Sequence, residues 1–298
     1  MPPADLLLLL QGGLGNQLFQ VVLARSLAER WDRPLVVDPV LLRSRLRRLR
    51  GLTPRGLSPL VAQLLPGAIQ PTPWHHRAGP RLAARWPGPA PRWRLNDAGL
   101  AQAAAAGDPL ERWGAIRLLR THATHPALYA PPFQPAWRRI AAALQPLATD
   151  APPTVALHVR RGDYLLPRSG FHPLPPGYYQ RALAALRWRA APLFEAAASR
   201  GARPVLHVFT DDPAWCRTHL GGIGWDARIE VGSAEQDLAR LASARALVIS
   251  NSSFSAVAAH LARLRDPSTV VVCPDRWLLE EDGRLGDLRG TGWLTVEA

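Results

Sequence analysis

Two adjacent arginines close an apolar run at His158-Val159-Arg160-Arg161-Gly162-Asp163-Tyr164. A guanidinium offers phosphate a planar fork of N–H donors and stays charged at any working pH. Successive residues of an extended chain alternate faces, so only one of the pair can aim into a cleft. The other, with Asp163, reads as a supporting ion pair. A second run is broken by Gly12-Gly13-Leu14-Gly15-Asn16. Gly13 and Gly15 let backbone approach a ligand, and the helix that follows presents free N–H groups to an anion. The Asn16 amide can donate to a phosphate or sugar hydroxyl, or cap that helix. In Phe209-Thr210-Asp211-Asp212-Pro213 two carboxylates stand together. They suit Mg²⁺, the N–H donors of guanine or the hydroxyls of ribose, and Asp212 before Pro213 also suits a helix cap. Ser250-Asn251-Ser252-Ser253-Phe254-Ser255 crowds hydroxyls at a helix start, the makings of a phosphate site.

These segments need a scaffold that brings strand ends together, and open parallel sheets bind ligands at the carboxyl ends of their strands. Apolar runs predict strands at Leu6–Gln11, Leu35–Asp38 and Ala115–Arg120 in the first half. Further strands are expected at Val155–Val159, Val205–Thr210, Arg228–Val231, Leu247–Ser250 and Val270–Cys273. Helices are expected near Trp137–Leu147, Pro176–Arg189, Pro213–Leu220, Ala234–Ser243 and Phe254–Leu264. Such alternation gives an α/β protein with parallel sheets. Asp150–Pro153 reads as a hinge, dividing the chain into residues 1–150 and 151–298. Residues 43–114 crowd Pro, Gly, Arg and Trp without a period, and read as irregular surface with short helices.

With 298 residues, 47% hydrophobic and 20% charged, the chain can bury a substantial core. Its formal charge of +13 comes entirely from arginine, since the sequence has no lysine. That bias reflects GC-rich codons as much as selection for charge, and the excess suits an anionic partner such as a nucleoside diphosphate sugar. Cys216 and Cys273 are too few for a disulfide framework and read as reduced thiols. The leucines at Leu6–Leu10 lack a basic flank and are too short for a signal peptide. The expectation is a cytoplasmic protein without a membrane span. The basic run Arg43–Arg50 reads as a solvated face and leaves a peripheral membrane contact open.

The four segments, in this order, resemble the α-1,2-fucosyltransferases, and the pattern covers residues 6 to about 277. The resemblance implies a GT-B arrangement, two Rossmann-like halves facing a central cleft, with GDP-fucose held mainly by the second half and acceptor contacts on the first. It implies inversion at the anomeric carbon, no metal, no cofactor beyond the donor, and a glycan acceptor, with galactose in α-1,2 linkage. Carried onto this sequence, Arg160 would bind the diphosphate and stabilise its departure, with Arg161 beside it. His158 and Asp212 would lie near the guanosine, with Asp237 behind the nucleotide site. Asn251, Ser253 and Ser255 would surround the phosphate, and Asn16 would face the donor from the glycine turn. The family commonly follows Ser-Phe-Ser with two tryptophans, where this chain has Ala256 and Val257, so the acceptor and linkage stay open. Inverting transfer also needs a group to take the acceptor's proton. Tyr164–His172 contains no carboxylate, which leaves Asp163 and His172 as candidates.

Two other classes compete. Gly13, Gly15 and Asp38 approximate a dinucleotide fingerprint, as in an NAD- or FAD-dependent oxidoreductase, though the third glycine is replaced by Leu18. A basic, Trp-rich nucleic-acid-binding module would use the middle segment. The oxidoreductase reading leaves the three later constellations without a purpose, and no nucleic-acid partner is expected.

Overall fold

The computed structural model describes residues 5–42, 56–70, 94–107, 114–148, 151–166, 171, 173–199, 201, 204–220, 224–277 and 288–298. The chain divides into two compact units, one of residues 1–143 with 282–286, the other of residues 144–281 with 287–298.

In the first unit, β1 (Leu6–Leu9) runs into the glycine turn and α1 (Leu14–Arg30), followed by β2 (Leu35–Asp38). Short elements come next: α2 (Pro59–Leu64), β3 (Arg94–Leu95), α3 (Asp97–Ala105), β4 (Leu118–Leu119) and α4 (Gln134–Leu144). The four strands form one parallel sheet in the order β2-β1-β4-β3. Helix α1 buries Leu18, Phe19, Val22 and Leu23, and Phe19 meets Trp137 of α4 edge-on at 5.3 Å. The strand expected at Ala115–Arg120 shrinks to two residues because Arg33 takes the carbonyls of Gly114 and Ile116.

The second unit alternates with little interruption. It contains β5 (Val155–Val159), α5 (Pro176–Arg189), α6 (Ala191–Ala198), β6 (Leu206–Thr210), α7 (Pro213–Leu220) and β7 (Ala227–Ile229). After these come α8 (Ala234–Ser243), β8 (Ala246–Val248), α9 (Ser253–Arg265), β9 (Val270–Pro274) and β10 (Leu294–Val296). Six parallel strands are ordered β10-β9-β8-β5-β6-β7, so the expected α/β class with a parallel sheet in each half is what the chain forms. Val155, Leu157 and Val159 of β5 turn one face to Tyr178, Tyr179, Leu183 and Leu186 of α5. Full burial of such side chains contributes roughly 1.5–3 kcal/mol each. That clamps β5 centrally in its sheet, and β5 carries the double arginine at its end.

Candidate functional site

Beyond β5 the chain folds into a short 3-10 turn, Gly162–Leu165, which swings Asp163 back under Arg160. The guanidinium of Arg160 bonds to Asp163 through one terminal nitrogen, and its other reaches Asp211 at 2.6 Å. Arg161 takes the opposite side: its Nε lies 3.2 Å from Asp212, and its guanidinium stacks 4.2 Å above the Trp215 ring. Both arginines are therefore braced, and Asp163 supports Arg160 rather than Arg161. Burial works against the Arg160 charge, but Asp211 and Asp163 outweigh it and hold the group above its ordinary pKa. Gly162 is required by contact. A Cβ there would stand 2.4 Å from the Asp211 carboxylate, pushing it off Arg160.

The two aspartates divide the work. Asp212 caps α7, accepting the Trp215 N–H at 3.0 Å. Asp211 accepts the Arg161 backbone N–H at 2.9 Å while pairing with Arg160. Three carboxylates thus face two guanidiniums, and a diphosphate would need further N–H donors alongside them. The adjacent turn into α9 has them. Ser250 Oγ accepts the Arg160 N–H at 3.0 Å, and Tyr164 OH donates to the Asn251 carbonyl at 3.1 Å. Ser252 caps α9, and Ser253, its first residue, is partly open to solvent. Ser255 and Asn251 face inward. The Ser255 hydroxyl donates to the Ser250 and Ser252 carbonyls, and the Asn251 amide donates to the Trp277 carbonyl at 3.2 Å. These two side chains hold the turn together instead of projecting from it.

His158 packs its ring 5.2 Å from Phe254, buried to 6% exposure. Burial, then the Arg160 charge, pushes it down to about 3, so the imidazole is neutral at working pH. Asp237 sits in the first turn of α8, partly open, with burial pushing its carboxyl up to about 6. Beside it lies an ion cluster the sequence did not suggest. Glu230, just past β7, receives His207 at 2.7 Å and Arg240 at 2.5 Å. Its glutamate and arginine stand ten residues apart, with the histidine on another strand, so no local spacing marks the cluster. Tyr164, Trp215 and Ser250 were likewise missed as bracing residues, because aromatic and hydroxyl side chains near a motif carry no signal of their own.

In the first unit the glycine turn has a specific geometry. Gly12 adopts φ +82°, and Gly13 precedes α1 without a side-chain cap. Gly15 is buried within the first helical turn. Asn16 therefore does not cap α1, and its side-chain amide has no hydrogen-bond partner among the described residues. Gln17 and Gln20 tie the turn instead: Gln17 donates to Gly12 and Gly56 carbonyls, Gln20 to Gln11 and Asn16 carbonyls. Asp38, the acid a dinucleotide site would turn to ribose, is buried and accepts the Val40 N–H at 3.0 Å. His172, Arg43–Arg50 and the tryptophan-rich stretch 71–93 lie outside the described residues.

Among the described residues no three His, Cys, Asp or Glu side chains converge as a metal site would require. The clustered chemistry of the second unit is guanidinium, hydroxyl and helix N-terminus, all at strand carboxyl ends. Residues 140–280 match glycosyl transferase family 11. The matched residues contain the double arginine, both aspartates and the serine turn. No curated protein matches the chain. Similar solved structures include an Arabidopsis thaliana FUT1 mutant with GDP, at 15% identity over 87% of this chain and 68% of that one, TM-score 0.40. Another is the NodZ α-1,6-fucosyltransferase of Bradyrhizobium soaked with GDP-fucose, at 16% identity, 86% and 92% coverage and TM-score 0.42. The E. coli heptosyltransferase WaaC with ADP aligns over 99% of this chain and 93% of its own at 12% identity, TM-score 0.45. The match runs through β5 to β9, which with the braced arginines belong to the second unit.

Proposed function

We propose that the protein transfers L-fucose from GDP-fucose to a hydroxyl of a glycan acceptor, α-1,2 to galactose, with inversion and without a metal or other cofactor. The observation that carries this reading is the coincidence of the family 11 segment with a doubly braced arginine at a strand's carboxyl end. Arg160 keeps N–H groups beyond those spent on Asp163 and Asp211, and it supplies charge to the departing diphosphate where other transferases use a divalent ion. The α9 N-terminus adds backbone N–H donors and the Ser253 hydroxyl. Asp237 suits the donors of a base when ionised, and His158 is held neutral beside Phe254. Asp212 reaches the nucleotide only from its place as the cap of α7, where Arg161 already pairs with it. Asn16 contributes its unengaged amide during turnover, Gly13 and Gly15 give the backbone room for that approach, and the first unit takes the glycan.

Burial of Asp38 as a turn cap speaks against the dinucleotide alternative. Calorimetric titration with GDP and with NAD separates the readings. Wild type should bind GDP and not NAD, and Arg160→Ala should weaken GDP binding by at least about tenfold, since a charge-assisted hydrogen bond contributes roughly 1.5–3 kcal/mol. NAD binding without GDP binding would overturn the proposal.

A further inference from the structure

At the carboxyl end of β7 one acid is heavily engaged and a second is left open. Glu230 follows β7 directly and is buried. Its carboxylate lies 2.7 Å from His207 Nδ1 of β6, 2.5 Å from the Arg240 guanidinium and 3.4 Å from Arg228 Nε. Burial works against its charge, but Arg240, His207 and Arg228 outweigh it and hold the carboxyl below its ordinary value. The Arg240 guanidinium is further placed 5.5 Å from the centre of the Phe209 ring. Asp237 stands one turn before Arg240 on α8. Its half-buried carboxylate accepts no hydrogen bond and joins no ion pair among the described residues.

Side chains three apart on a helix are neighbours, so an unengaged Arg240 would pair with Asp237. Arginine is charged at every working pH, and its planar fork bonds most strongly to a carboxylate. Glu230 takes that fork first. On α9, which packs against α8, Arg263 and Arg265 are spent on the Thr269 and Ala244 carbonyls, so Arg240 is the cation that competes for Asp237. The Asp237 carboxyl shows the result: burial raises it to about 6, Glu230 adds to the rise, and Arg240 offsets only part of it. The loop before α8 fits the same carboxylate closely. A Cβ on Gly232 would stand 2.7 Å from Asp237 Oδ1, so the glycine leaves Asp237 its position.

We propose that Glu230 is a positioning residue for nucleotide recognition: by holding Arg240 it keeps Asp237 open to the paired N–H donors of guanine, an assignment that rests on the donor proposed above. Guanine presents N1–H and N2–H₂ side by side, and the two oxygens of one ionised carboxylate accept both. Glu230 does not touch the base. Through Arg240 it decides whether Asp237 meets the base as an open carboxylate or as half of an ion pair. His207, Glu230, Gly232, Asp237 and Arg240 all belong to the second unit.

The test is calorimetric titration with GDP and with inosine diphosphate, which lacks only the 2-amino group of the base. Wild type should prefer GDP by about tenfold, the contribution of one charge-assisted hydrogen bond. Glu230→Gln keeps the size of the side chain but leaves a neutral, weaker acceptor, so Arg240 turns to Asp237 and the preference should fall to about twofold or less. The double variant Glu230→Gln/Arg240→Gln should regain the preference, which a general loosening of the fold would not restore. Gly232→Ala displaces the Asp237 carboxylate without touching the ion cluster. It should lose the preference as well, and it serves if the Glu230 variant does not fold. A preference retained in folded Glu230→Gln or in Gly232→Ala, or not regained in the double variant, overturns the proposal. So does a wild type that binds the two diphosphates equally. A wild type that binds neither would instead remove the donor on which the proposal rests.

Discussion

Arg160 and Arg161 are neighbours in sequence and have different tasks. Arg160 is forked between Asp163 and Asp211, whereas Arg161 lies flat on Trp215 and pairs with the acid that caps α7. An ammonium has no planar fork, so Arg160→Lys cannot hold both carboxylates and a phosphate together. We expect its kcat for transfer to fall by roughly 10²-fold, with little change in melting temperature. Arg161→Lys should show the reverse: near-normal turnover and a loss of about 0.5–2 kcal/mol in stability from the lost stacking. Steady-state kinetics and thermal melts of the two variants check this, and equal turnover losses would contradict the division. The residue types were legible, but their pairing was not. Asp163 is three positions from Arg160, and only the 3-10 turn decides that it folds under that arginine and not its neighbour. Ser255 and Asn251 looked outward in sequence because hydroxyls and amides at a helix start do so often. Here the turn needs both for its own carbonyls.

Elements with clear punctuation were legible almost to the residue. Helix α5 begins after Pro175 and α7 begins at Pro213, where the fixed φ of proline favours a helix start, and both run as expected. Helix α3 was hidden within the Arg-, Pro- and Trp-rich stretch, since its alanine run has no apolar stripe to mark a face. Packing also sets a pH dependence at this scale. His158 on β5 is buried and His260 on α9 half-buried, and burial holds them at about 3 and about 4, against an ordinary value of 6.5. Depressed folded values mean the unfolded chain binds more protons between 6.5 and those values. Stability is thus full above pH 6.5 and lost as pH falls through that window, by about 1 kcal/mol per pH unit for each histidine. Asp237, raised to about 6, opposes this as it protonates. Melting temperature should therefore decline from pH 7 to pH 5, and a flat or rising profile would contradict the burial of the two imidazoles.

At the scale of the molecule, composition pointed two ways. A charge of +13 suits nucleic acid as well as a nucleotide sugar. The folded chain localises arginines in specific work: Arg33 on carbonyls of its own unit, Arg240 on Glu230, Arg160 and Arg161 on aspartates. No helix among the described residues is long and apolar enough to cross a membrane. The α/β class and its two parallel sheets were readable because buried parallel strands are near-continuous apolar runs. Strand β3, two residues long, was not, and β4 was expected at Ala115–Arg120 but is only two residues long. The central claim is fucosyl transfer, and one measurement addresses it directly. The full chain is incubated with GDP-fucose and a panel of galactosides in excess EDTA, and GDP release is followed together with the linkage and anomeric configuration of the product. The account predicts GDP formed in step with an α-linked fucoside on galactose, the inverted configuration, at a rate unaffected by the chelator. Failure to transfer fucose to any galactoside, or transfer that stops in EDTA and returns with Mg²⁺ or Mn²⁺, would contradict it.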